Sequence, residues 1–219
     1  MKKFLSLMMA VILIFALAAC TGDENVRGEY EGNNPAATSG TNTFDTGKVN
    51  ANKYLNKFAG ISCELGSDWK YKTDEEIRQN NETAMGMMGE EYSQAIQNAS
   101  TFTDMMATHT NGTDTVNVTF EKLTGANLVL TESGYAEARK DSLKGALESM
   151  GMTNVTVSVG EESFAGAKHP YIAISAQFNG IAVYERLAIL KCSNYIVVVT
   201  VCTWQNDTCS EILSNFKAI

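Results

Sequence analysis

The groups able to do chemistry are few: five cysteines, two histidines and several paired carboxylates in 219 residues. Cys20 stands apart from the other thiols. It follows the small residues Ala18 and Ala19 and closes an apolar run over 4–19 that only Ser6 interrupts. A thiol at that point is a nucleophile able to take a thioether substituent. Cys63, Cys192, Cys202 and Cys209 lie far downstream and lack C-x-x-C spacing, which argues against a zinc site. Cys202 and Cys209 are spaced for a local disulfide between the end of a strand and the first turn of a helix. The other reading makes all four buried thiols that pack as small hydrophobes.

His109 lies near Asp104 and Asp114 in sequence, a set that could hold a metal; a strand-end histidine is the simpler reading. His169 precedes Pro170 and belongs at the start of a strand. The acidic pairs Glu75-Glu76, Glu90-Glu91 and Glu161-Glu162 are adjacent in sequence, so their side chains diverge and read as solvated charge. No G-x-S-x-G elbow and no G-x-x-x-x-G-K-[ST] loop occurs. Gly86-Met87-Met88-Gly89 reads as a helix break. Met85, Met87, Met88, Met105 and Met106 form either core filler or an adaptable binding surface. These residues indicate no metal, no cofactor and no catalytic set.

Lys2 and Lys3 precede the apolar run, whose 16 residues fall short of the roughly 20 that a spanning helix needs. A charged start, a short apolar core and small residues before a cut describe a secretory signal peptide. Leu17-Ala18-Ala19-Cys20 also resembles the lipobox of bacterial lipoproteins. The resemblance implies cleavage before Cys20, a diacylglyceryl group on its sulfur and often acylation of the new amino terminus. The chain would then sit on the cell membrane, facing the extracytoplasmic side. Two or more acyl chains give stable anchoring, where one holds only marginally. Six Asn-x-Ser/Thr sequons start at Asn81, Asn98, Asn111, Asn117, Asn154 and Asn206. A bacterial envelope protein would leave them unmodified by a eukaryotic route.

Loss of the leader removes Lys2 and Lys3 and leaves 200 residues with a formal charge of −10. That balance argues against nucleic acid as a partner, and against electrostatic adhesion to anionic lipid. Half of Thr21 to Lys48, 14 of 28 residues, is Gly, Asn or Thr. It reads as a flexible linker of roughly 30 Å span. The expected organisation is a signal peptide over 1–19, a lipidated cysteine and linker over 20–49, and one folded domain over 50–219.

Within that domain Ile61 to Leu65 alternates as a strand, and Thr73-Asp74-Glu75-Glu76 is a capping box opening a helix that resumes over Glu90 to Gln97. Thr101 to His109 and Thr115 to Leu123 are strands joined through Asn111-Gly112. Thr131 to Met150 carries a helical apolar period that ends at Gly151. Asn154 to Val159 is a strand. His169 to Phe178, Ile181 to Cys192 and Tyr195 to Trp204 form a meander turned at Asn179-Gly180 and Ser193-Asn194. Ile196 to Val201 is apolar on both faces, which predicts a central, doubly covered strand. Thr208-Cys209-Ser210-Glu211 reads as a second capping box for a final helix through Phe216.

This order predicts the α+β class, an antiparallel sheet with helices packed on its faces. It resembles the Mog1/PsbP-like fold over about 50–219, through Ile61 to Leu65, Trp69, the block Ile172 to Trp204 and the short helix after it. Those are packing and turn residues, so the resemblance implies a shape and transfers no activity. The favoured function is a membrane-anchored, non-enzymatic domain that binds a protein or a small molecule. Two alternatives stay open: a hydrolase or metal-dependent enzyme with a site built from distant residues, and a structural envelope protein without a ligand.

Overall fold

The computed structural model describes residues 44–85 and 101–219, with side chains for 44–79 and 101–219. Its strands form two antiparallel sheets. The smaller runs β1 (Lys48–Asn50), β2 (Lys53–Asn56), β3 (Ile61–Glu64) and β11 (Phe216–Ala218) in that spatial order. The larger is ordered β4 (Trp69–Tyr71), β5 (Thr101–His109), β6 (Thr115–Lys122), β10 (Tyr195–Trp204), β9 (Ile181–Cys192), β8 (Ala167–Phe178) and β7 (Thr153–Phe164). The described helices are α1 (Asp74–Met85), α2 (Glu132–Ser149), α3 (Cys209–Leu213) and a 3-10 turn at Gly125–Val129.

This corrects the α+β expectation. The described residues are mostly β, and a second sheet, rather than helices, covers one face of the large sheet. Residues 44–49, which the sequence places in the linker, are part of that cover. Phe44 stacks on Tyr195 with ring centroids 4.9 Å apart and sets its edge against Phe58 and Phe102. Phe216, expected in the last helix, pairs with Cys63 in the small sheet. The five-residue α3 ends at Leu213. Its Thr208 makes no side-chain cap; Asp207 Oδ1 accepts from the Cys209 amide instead. The Thr73 box does form: Thr73 Oγ1 accepts from Glu76 N, and Glu76 Oε2 accepts from Thr73 N.

Alternation along β10 supplies both cores. Val197, Val199 and Val201 face the small sheet with Phe102, Val118 and Phe120. Ile196 and Val198 face the other way with Ile172, Ile174, Leu187 and Ile189, beneath Tyr135, Ala136, Leu143 and Leu147 of α2. β10 is the middle strand of the seven, as its two apolar faces require. α2 starts on the Thr131 cap and is tied to β6 by Glu121, whose carboxylate accepts from Tyr135 Oη at 2.7 Å and from Arg139.

One irregularity positions a side chain. The β5–β6 register shifts between Thr103 and Met105, leaving Asp104 as the extra residue of a bulge. Its carboxylate points to the small sheet and accepts from Tyr54 Oη (2.6 Å), Asn56 Nδ2 (2.9 Å) and Gly47 N (2.9 Å). Gly47 is required there. A Cβ would stand 2.3 Å from Tyr54 Cε2 and 2.6 Å from Asp104 Oδ2.

Candidate binding cleft at the loop end of the large sheet

The β5–β6 turn, the end of β10 and the start of β9 enclose a cleft of about 370 Å³. Each wall is fixed by hydrogen bonds to the main chain. Asn111 Oδ1 accepts from Thr113 N and Asp114 N, both at 3.0 Å. Asp114 Oδ1 accepts from Trp204 N at 3.1 Å, linking the ends of β6 and β10. Beyond Trp204 the chain turns through Gln205, a non-glycine residue at φ +71°, whose amide donates to Ala182 O. Thr203 Oγ1 donates to Asn206 O and sets the next residue. Trp204 and Ile181 supply the apolar surface, with Phe178 set edge-on to the indole.

The lining holds amides, hydroxyls, an indole and a single carboxylate. It contains no histidine, cysteine, lysine or arginine, so no imidazole, thiol or cation lines it. It can orient a polar ligand by hydrogen bonds and pack one apolar face of it.

Apart from Asp114, the sequence candidates fall elsewhere. Cys20, Met87, Met88, Glu90-Glu91 and Gly86-Gly89 lie outside the described residues. Met105 and Met106 are buried as core filler. Cys63, Cys192, Cys202 and Cys209 are free thiols. Pleating puts Cys202 on the α2 side of β10, whereas Cys209 packs among the residues of the opposite core. Cys209 Sγ lies 3.5 Å from Tyr184 O and 3.6 Å from Val201 O. Burial pushes Cys63 and Cys209 up to about 12 and Cys192 to about 11, so all three are thiols at neutral pH.

The metal set around His109 is not assembled. Asp104 serves the small sheet and Asp114 serves Trp204, while the His109 ring sits edge-on to Trp69 at 5.1 Å and its Nδ1 accepts from Asn111 N. Among the described residues no three His, Cys, Asp or Glu side chains converge on a metal position. His169 Nδ1 lies 2.9 Å from Glu132 Oε2, and Glu132 Oε1 accepts from Lys191 N. The adjacent Cys192 Sγ sits instead 4.0 Å from Ala59 O. Of the acidic pairs, Glu162 is partly covered and binds Arg186, which lies over the Tyr171 ring at 4.5 Å.

Sequence reasoning passed over two features. From sequence Asp114 reads only as a metal ligand, and Trp204 only as the end of a strand. Asn-Gly marked the turn that forms one wall, but nothing local indicated that it meets 204–208. The second feature is Glu185, read simply as part of a strand. It is 3 % exposed, faces the α2 side beside Cys202, and neither of its carboxyl oxygens has a hydrogen-bond partner in the structure. Burial pushes its carboxyl up to about 7, with the neighbouring Cys202 thiol acting in the opposite direction.

No family model and no curated protein matches the chain. Among solved structures it is similar to LpqN, described as involved in cell envelope biogenesis of Mycobacterium tuberculosis. The two share 14 % identity over 72 % of this chain and 82 % of that one, with a TM-score of 0.40. It is also similar to PA94 of Pseudomonas aeruginosa, a protein of unknown function, at 10 % identity over 46 % of this chain and 62 % of that one, with a TM-score of 0.27. At these distances the likeness concerns the chain trace and carries no functional argument.

Proposed function

We propose that the chain is an extracytoplasmic lipoprotein that holds a non-enzymatic binding domain at the membrane surface. One observation carries the reading: Lys2-Lys3, the short apolar run and Leu17-Ala18-Ala19-Cys20 stand together in order. Cys20 takes the lipid, Thr21 to Thr43 acts as spacer, and the domain presents its loop-end cleft to a small polar ligand. The lining favours binding, because it offers amides, hydroxyls, an indole and one carboxylate already hydrogen-bonded to Trp204 N and Thr113 Oγ1, with no histidine, cysteine or lysine beside them.

The mass of the membrane-extracted chain tests the anchor. A start at Cys20 with added acyl mass is expected, and Cys20→Ala should move the protein to the soluble fraction. A membrane-bound chain with an unmodified Cys20 would overturn it.

A further inference from the structure

We infer that the loop-end cleft recognises a neutral saccharide. The inference rests on the binding role proposed for that cleft and names the class of its ligand.

A sugar hydroxyl both donates and accepts, and side-chain amides do the same from one plane. Asn111, Gln205 and Asn206 bring three such amides to the cleft, and Asp114 adds a carboxylate. Their free atoms are set in advance. Asn111 Oδ1 is committed to two main-chain amides, which leaves its NH2 group for a ligand. Asp114 Oδ1 is committed to Trp204 N and Thr113 Oγ1, which leaves Oδ2. Holding these groups in place before binding lowers the ordering loss on association. Gln205 is kept in the left-handed region at φ +71°, a conformation that collects at ligand sites. The indole face of Trp204 can take the C–H face of a pyranose. Its Nε1–H is buried without a partner, so a small rotation of the ring toward a ligand breaks no hydrogen bond.

Other ligand classes fit less well. An anion would meet Asp114 with no cation in the lining. An apolar ligand would strip water from amides and hydroxyls without replacing their bonds. An extended peptide binds by adding to a sheet edge, and β6 and β10 are each paired on both sides.

Ligand-detected saturation-transfer NMR on the full chain in detergent tests this. The probes are cellobiose, maltose and N,N′-diacetylchitobiose, with tetra-alanine as the non-saccharide. Transfer to the ring protons of at least one disaccharide is expected. Its binding should weaken at least tenfold in Asn206→Ala and in Asp114→Asn, with the melting temperature within a few degrees of the parent. Asn206→Ala keeps the carbonyl that Thr203 uses, and Asp114→Asn keeps an oxygen for Trp204 N. Transfer to tetra-alanine alone would overturn the saccharide class and leave a binding cleft. No transfer to any probe would overturn both, as would disaccharide transfer unchanged in the two variants.

Discussion

Two buried carboxyls on the large sheet face opposite ways and have met opposite fates. Asp104, thrown out by a bulge, points to the small sheet and is surrounded by three donors. Glu185, in regular strand, points to the α2 side and has none. Burial raises the carboxyl pKa of both. At Asp104 the donors from Tyr54, Asn56 and Gly47 oppose the shift, and at Glu185 the Cys202 thiol alone does. Desolvation alone therefore does not decide what a buried acid does for the fold. Asp104 clasps two sheets together, whereas Glu185 is tolerated as the neutral acid and strains the fold once ionised.

The largest effect is expected at Asp104. Asp104→Ala leaves the Tyr54 hydroxyl and the Asn56 amide buried without an acceptor, at an expected cost of about 4 kcal/mol in urea unfolding. Asp104→Asn should lose roughly half of that, since one oxygen can still accept. The next largest effect has the opposite sign. Glu185 goes from an ordinary 4.5 to about 7 on folding, so between those values the folded state binds more protons and stability falls as pH rises. Glu185→Gln should therefore be nearly neutral at about pH 5 and gain up to about 3 kcal/mol at about pH 8, flattening the pH profile of unfolding. A profile that stays equally steep in Glu185→Gln would show that other groups govern it.

Smaller changes sharpen the contrast. Tyr54→Phe removes the 2.6 Å donor to Asp104 and should lose about 1.5 kcal/mol. Gly160→Ala places a Cβ 2.7 Å from the Tyr171 ring, which is held under Arg186. It should lose about 1 kcal/mol, seen as a melting shift of a few degrees.

Much of the chain was legible because its signals are local. The capping box at Thr73, the Thr131 cap and the Asn179-Gly180 turn, with φ of +51° and +79°, need only neighbouring residues. The double-sided apolar pattern of Ile196 to Val201 likewise required a central strand. The box at Thr208 does not form: its hydroxyl caps no amide, and Asp207 Oδ1 takes the Cys209 amide one residue into the helix. Phe216 and Phe44 were misplaced because three-residue strands and single anchoring rings have no period to read. The cleft was illegible for the same kind of reason. Its walls, 111–114 and 204–208, lie some 90 residues apart and meet through one carboxylate, as in the Asp114 to Trp204 bond.

Composition and short-range pattern alone fix the acid balance and the strand, turn and helix signals. The tertiary structure decided that a second sheet covers the first, that Asp104 has partners and Glu185 none, and that an indole, three amides and a carboxylate share one cleft. Those outcomes depend on which strands pair and which face each residue takes, and a single-residue bulge at Asp104 is enough to change the second.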